Sequence, residues 1–559
     1  MADGTSNSSA VKRLYKLLRL ERADITNIFI FAIFAGLINL SLPLGIQAII
    51  TFLNAGELST SWGILVIFVI AGIALVGFLQ VRQLTITEAI EQKIFAKAAF
   101  DFAFRIPRIR QSAVQNKYVP ELVNRFFEIL TVQKGLSKLL IDFSSASLQI
   151  IFSLILLSLY HPMFLLLGVG LVIILYLIFY FTGPAGLRTS LEESKYKFEV
   201  AHWLEEIGRT MTTFKLIGNS TLPINKTDDL VEGYLKARKK HFRILVWQFS
   251  GMIVFKVTVA AGLIILGSIL VIDRQINIGQ FVAAEVIIVL LIGAVEKLIL
   301  SMDTIYDLLT ALEKIGTVSD LPLETDKGTD IRETNTDNGL NIRFHNVSFA
   351  YPDEGGRDIL HNVNFEMISG HRMCISGPNG SGKTTLLKLM TGMFDNFQGT
   401  ISLNGLPFRS LRIEALRSVI GDNFNDHDVF KGTLYENIHA GRKEVTKDDV
   451  LWAIKQCDLE DFVATTKTGL DTPLDPEGRR LSTGIVRKIV LARAIAERPK
   501  ILLLEDTLTG MSHDERMHIY GGLLDKKNGW TIIIISNDPA VREMCDDHLM
   551  MIDGQIYKS

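Results

Sequence analysis

Residues 371–391 read HRMCISGPNGSGKTTLLKLMT. A short apolar run, Met373–Ile375, leads into Gly377-Pro378-Asn379-Gly380-Ser381-Gly382-Lys383-Thr384, and a helix-forming stretch follows. A glycine, four residues, then Gly-Lys-Thr between a strand and a helix is a phosphate-binding pattern. Its glycines let successive backbone N–H groups curl around phosphate oxygens, and the helix N-terminus adds positive potential. On this reading Gly377, Asn379, Gly380, Ser381, Gly382 and Thr385 form the nucleotide cradle. Lys383 reaches the β- and γ-phosphates of ATP, and Thr384 holds Mg²⁺.

A second stretch supports the first. In PKILLLEDTLTG (499–510) the apolar run Ile501–Leu504 ends in Glu505-Asp506. A buried parallel strand that delivers acids at its C-terminal end places them where open α/β sheets bind ligands. One acid, Glu505, is positioned to hold the metal; the next, Asp506, is positioned to orient the attacking water.

Outward from this region the composition changes. The 559 residues carry 58 Lys+Arg and 60 Asp+Glu, a net charge of −2, and mean hydropathy is +0.28. That hydropathy excludes a disordered chain, and the balanced charge argues against a general nucleic-acid binder. Residues 1–340 hold 32 basic and 30 acidic residues; residues 341–559 hold 26 and 30. All three cysteines (Cys374, Cys457, Cys545) lie in the second part, too few for a disulfide framework and consistent with a reducing compartment.

The first part contains six apolar stretches, near 25–52, 62–82, 137–160, 162–183, 246–273 and 279–301. Each reaches the roughly 20 residues needed to cross a bilayer. Residues 1–24 form a polar tail and an amphipathic helix suited to a membrane surface. Eight Lys/Arg lie in the 84–135 connection and eleven in 184–244, whereas the three short loops hold one, Arg274. Positive charge marks the cytoplasmic side, so the long connections, both termini and the second part are expected there. Residues 316–340 are polar and acidic and read as a linker. Glu285 and Glu296 stand out as acids in the last span.

Taken with these motifs, residues 341–559 resemble the nucleotide-binding domain of an ABC transporter, and the whole chain resembles a half-size ABC exporter. The resemblance implies an α-helical membrane domain of six long transmembrane helices that extend beyond the bilayer, followed by an α/β P-loop NTPase domain of ABC type. It implies a bacterial inner or plasma membrane location, a second half-transporter chain as partner, with a homodimer slightly favoured, a transported substrate, and no nucleic acid. Tyr351, in Phe349-Ala350-Tyr351-Pro352, takes the place of the family's adenine-stacking aromatic. Residues 416–438 resemble the Q-loop region that touches the membrane domain.

Several positions depart from the family pattern. The signature LSGGQ is here Leu481-Ser482-Thr483-Gly484-Ile485, so Ser482 and Gly484 keep their donors for the partner's ATP while Ile485 loses an amide. The usual Asp-Glu pair is reversed to Glu505-Asp506, which leaves the base one methylene short. The Q-loop glutamine becomes Asn425, a candidate for both metal and water positioning. The switch histidine becomes Asn537, which can hydrogen-bond but cannot carry a proton. Together these changes imply an ATP-binding exporter with slow hydrolysis. The alternative is a module that binds ATP and barely hydrolyses it, serving as a gate or a regulatory partner subunit.

Overall fold

The computed structural model describes residues 3–54, 60–333, 338–352, 357–424, 428–505, 508 and 510–558, with backbone alone for 3–9 and 54. The chain divides into two compact units. One comprises residues 1–107 and 117–321, the other residues 108–116 and 322–559.

Among the described residues, six helical stretches are long and apolar enough to cross a membrane: Arg22–Leu53, Thr60–Arg108, Val119–Tyr160, Pro162–Arg209, Leu222–Ile272 and Ile278–Ser319. The six apolar stretches of the sequence overlap these helices, the fifth running one residue beyond Ile272. Continuous α-helix runs for 46 residues in Thr60–Arg105, 48 in Pro162–Arg209 and 41 in Leu222–Gly262. At 1.5 Å per residue these measure about 60–70 Å, against a hydrocarbon layer of roughly 30 Å. Ile67, Phe68, Ile70, Phe78 and Val81 on the second helix are exposed, a surface suited to lipid rather than water.

Several buried polar side chains of the bundle find partners, as an apolar surrounding favours. Gln248 donates to Thr182 Oγ1 (2.9 Å) and to the Tyr306 hydroxyl (2.6 Å). His241 bonds Thr189 on one side and Asp303 on the other. Gly186 lets the fourth helix approach the sixth: a Cβ there would lie 2.5 Å from Tyr306 Cζ. Glu296 is not alone in the last span, since Lys256 reaches it at 2.6 Å. Glu285 is exposed. The last helix of this unit continues to Ser319, four residues into the stretch read as linker, because Val318 is buried and extends the apolar face.

The second unit includes Arg108–Asn116, a short piece from the connection between the second and third spans. The Arg110 amide donates to Pro322 O (3.0 Å), the Glu324 amide donates to Arg108 O (2.8 Å), and Arg108 pairs with Glu414 (3.0 Å). Sequence periodicity could not reveal this, because the partners lie more than 200 residues away.

The strands of this unit are β1 (Ile342–Ala350), β2 (Asp358–Met367), β3 (Arg372–Ser376), β4 (Gln398–Leu403), β5 (Leu406–Pro407), β6 (Ile420–Asn423), β7 (Gly432–Thr433), β8 (Pro473–Leu474), β9 (Ile501–Glu505), β10 (Thr531–Ile535), β11 (Asp547–Ile552) and β12 (Gln555–Lys558). One sheet has the order β2-β1-β4-β5, and a larger one the order β12-β11-β3-β10-β9-β6. In the larger sheet β11, β3, β10, β9 and β6 run parallel, and β12 closes the edge antiparallel. Strands β9 and β10 are buried at every residue, which is why they read as unbroken apolar runs.

Arg372 and Asp546 tie the start of β3 to the start of β11. The guanidinium makes two bonds to the carboxylate, at 2.9 and 2.7 Å, and the Arg372 amide adds a third. These hydrogen bonds hold the Asp546 carboxyl well below the usual carboxylate range. A depressed folded-state pKa stabilises the fold above about pH 4, where the unfolded carboxylate is ionised, and that contribution fades as the pH falls further. Asp546→Asn is therefore expected to lower the stability of the second unit by about 1–2 kcal/mol at pH 7. Thermal melts of the full-length protein should show that deficit unchanged down to about pH 4 and shrinking below it.

Candidate functional site

The parallel order brings the C-terminal ends of β3, β10, β9 and β6 to one edge. Ile535 of β10 lies opposite Ile375 of β3 and Glu505 of β9, and Leu504 of β9 lies opposite Asn423 of β6. The phosphate loop leaves β3, the Asn537 segment leaves β10, and Glu505 ends β9. Sequence segments more than 100 residues apart thus meet at the edge where parallel sheets bind ligands.

The loop needs its glycines. Gly377 has φ +145, and a Cβ there would lie 2.1 Å from Met551 O. Gly382, at φ +98, is the N-cap of the helix Lys383–Met390. Both conformations strain any residue with a side chain. Ser381 is buried, and its carbonyl accepts the Gly554 amide. Asn379 and Gly380 are exposed at the rim.

Four side chains gather over the loop. Lys383 donates to the carbonyls of Gly377 (2.8 Å) and Pro378 (2.7 Å). Burial lowers its ammonium pKa, and Glu505 acts in the opposite direction. The Thr384 hydroxyl donates to Glu505 Oε1. Asn537 clamps Gly377 from both sides: its Oδ1 accepts the Gly377 amide at 2.9 Å, and its Nδ2 donates to the Gly377 carbonyl at 3.3 Å. Together they border a cavity of about 680 Å³ that also touches Asn379 to Thr385, Ile359 and Arg487. Thr384 and Glu505 offer hard oxygens suited to a magnesium ion. Among the described residues no group of three His, Cys, Asp or Glu could hold a metal unaided, so such an ion would complete its shell with phosphate oxygens and water.

Two family models match the chain. "ABC transporter" covers residues 360–509, and "ABC transporter transmembrane region" covers residues 25–295. The chain belongs to the ABC transporters. The transport/processing ATP-binding protein ComA of Streptococcus pneumoniae (strain ATCC BAA-255 / R6) is 24% identical over 546 residues, 97% of this chain and 75% of ComA. An ATP-dependent lipid A-core flippase of Legionella pneumophila (strain Lens) is 27% identical over 381 residues, 68% of this chain and 63% of the flippase. In fold, the chain is similar to a bacterial Atm1-family ABC exporter solved with ATP bound, with a TM-score of 0.81, 19% identity, and coverage of 96% of this chain and 94% of that one.

The remaining candidate residues of this ABC transporter fall in three places. Tyr351 stands beside the cavity: its hydroxyl bonds Thr385 at 3.1 Å, and its ring packs edge-on against Phe349 and Phe394. Ser482 and Gly484 do not line the phosphate cavity of their own chain. Ser482 caps the helix Thr483–Ile495 by accepting the Ile485 amide, and a Cβ on Gly484 would meet nothing closer than Met511 at 3.9 Å. Asn425 and Asp506 lie outside the described residues.

Four cavity residues, Ile359, Arg487, Ile535 and Ser536, were not among the sequence candidates. Ile359 borders the cavity from β2, and its only signal was membership of an apolar strand. Arg487 reaches the cavity from the helix Thr483–Ile495. Its signal was a cation between Val486 and Lys488, two residues past the signature.

Gly377→Ala places a methyl group against Met551 O and forces the loop off its path. We expect it to abolish binding of a fluorescent ATP analogue to the purified protein, with at least a hundredfold loss of affinity. Gly441→Ala, at another positive-φ glycine with nothing within 4 Å of its Cβ, should leave binding within about twofold.

Proposed function

We propose that this protein is an ATP-driven half-transporter that exports a substrate from the cytoplasm and hydrolyses ATP slowly. The observation that carries the reading is the cavity at the sheet edge. There a glycine loop with the right backbone, a lysine and a Thr–Glu oxygen pair converge in a chain that also carries six membrane-length helices.

ATP binds with its phosphates on the loop Gly377–Thr384 and its adenine toward Tyr351. Lys383 moves from the loop carbonyls to the β- and γ-phosphates. Thr384 and Glu505, with Asn425 from the Q-loop, would hold a Mg²⁺ ion, which would supply positive charge to offset the phosphates. Ser482 and Gly484 present their donors to the ATP of a second chain, so binding closes two such domains on each other. A homodimer is the simpler assembly, because each chain carries both halves of a site. The arrangement fits an inner-membrane protein with both termini and the ATP-binding domain in the cytoplasm. The transport/processing protein ComA and the ATP-dependent lipid A-core flippase support ATP-dependent transport, and neither fixes the cargo of this chain.

Slow turnover follows from the side chains on the hydrolysis side. Asp506 is the candidate base and is one methylene shorter than glutamate. A misplacement of 1 Å can cost about 10²-fold in rate. Asn537 has no titratable proton, and both its polar ends are engaged by Gly377. The alternative is a module in which ATP binding alone moves the helices.

Lys383→Ala should abolish ATP binding and turnover in lipid-embedded protein. Asp506→Asn should abolish turnover with binding retained. If the ATP-driven conformational change, read by protease protection, survives Asp506→Asn but not Lys383→Ala, binding alone does the work.

The paired change Asp506→Glu with Asn537→His should raise turnover by about 10- to 100-fold by restoring reach and a titratable group. Wild-type turnover at the rate of that double variant would refute slow hydrolysis.

A further inference from the structure

The helix Asp3–Leu20, which precedes the first membrane helix, has two unlike faces. Leu14, Leu17 and Leu18 pack against a part of the bundle core that includes Ile28, Leu308 and Leu312. The apolar side of this amphipathic helix is therefore spent on the protein and not on lipid. Arg13 lies on the same inward side. Its guanidinium pairs with Glu313 and Asp320 near the end of the helix Met302–Ser319. Gly316 leaves the room it needs, since a Cβ there would lie 2.1 Å from Arg13 Cζ.

The outward face is cationic. Lys12, Lys16 and Arg19 follow one another at helical spacing and are exposed, as is Arg22 at the start of the first membrane helix. None of the four pairs with an acid among the described residues. The acids near them are taken by other cations. Lys93 holds Asp24 at 2.7 Å and Glu21 at 3.6 Å, and Arg13 holds Glu313 and Asp320. Four like charges thus share one short stretch with no internal counter-charge, an arrangement that attracts an external anion. Between them Tyr15 is 68% exposed and Leu20 56%. A phenol ring and a leucine set among cations fit a membrane–water interface better than bulk water.

We propose that Lys12, Lys16, Arg19 and Arg22 bind the headgroups of anionic phospholipids, with Tyr15 and Leu20 seated at the interface. The proposal rests on the reading of the first unit as membrane-spanning and adds to it a class of lipid. A cluster of about four to eight Lys/Arg beside a membrane helix matches a negatively charged leaflet. The contact is electrostatic rather than inserted, because the leucines that an interfacial helix would sink into lipid face the bundle. Arg13 fixes the inward side of the same helix to Met302–Ser319, so the cations are held outward on a rigid element.

The test places the full-length protein in phosphatidylcholine vesicles that carry a trace of spin-labelled lipid. Electron paramagnetic resonance then gives the fraction of label immobilised at the protein. Labelled phosphatidylglycerol should be retained roughly two- to fivefold more strongly than labelled phosphatidylcholine, and raising salt from about 0.05 to 0.5 M should remove most of that preference. The combined change Lys12→Gln, Lys16→Gln, Arg19→Gln and Arg22→Gln should cut the preference to less than about half. Lys12→Arg with Lys16→Arg should keep it, which shows that the helix tolerates substitution. Lys443→Gln with Lys467→Gln, at exposed lysines of the second unit, should also leave it intact. Equal retention of the two lipids by the wild type would point to a soluble acidic partner or to bare solvent. That result, a preference that survives the four Gln changes, or an equal loss in the Lys443 and Lys467 variant overturns the proposal. No immobilised lipid of either kind would instead overturn the membrane-spanning reading itself.

Discussion

The nucleotide site depends on how strand β3 is held between its neighbours. On one side β11 brings the Met551 carbonyl so close to Gly377 that no side chain fits. On the other, β10 delivers Asn537, which takes both the amide and the carbonyl of the same glycine. The first residue of the phosphate loop is thus fixed from two directions before any phosphate arrives. Loop geometry is inherited from sheet geometry, and the Arg372–Asp546 bonds at the opposite end of β3 secure the pairing that carries it.

This construction separates what is robust in the site from what is sensitive. Phosphate binding uses backbone N–H groups and one long lysine, and both tolerate small shifts. Water activation uses side chains whose reach is set by a single methylene and whose proton chemistry is set by residue type. On the function proposed above, the loop can therefore stay intact while the side chains at Glu505, Asp506 and Asn537 vary.

Some of this was legible in the sequence and some was not, for definite reasons. The six membrane helices are visible because hydrocarbon demands long apolar runs. The loop is visible because phosphate binding needs glycines at fixed spacing, and β9 and β10 because a doubly covered parallel strand is apolar throughout. The place of Arg108–Asn116 in the second unit is not visible: it rests on backbone bonds to Pro322 and Glu324 and an ion pair to Glu414, with no local pattern. Ile359 and Arg487 were missed because a cavity's lining depends on which distant segments meet in space, and no local pattern encodes that.

The acids of the last membrane helix follow the same logic. An ionisable group in a span is costly unless paired, so the sequence singles out Glu285 and Glu296 together. Lys256 on the preceding helix reaches Glu296 at 2.6 Å, and Lys297 next to it reaches Asp142 at 2.9 Å. These contacts link the sixth helix to the fifth and the third and account for four charges without any cargo. Removing one partner would leave the other uncompensated, which costs more than the pair contributes. Glu296 is therefore better understood as half of a helix-to-helix tie than as a substrate ligand. Of the two acids, Glu285 is the one whose charge no described pair explains.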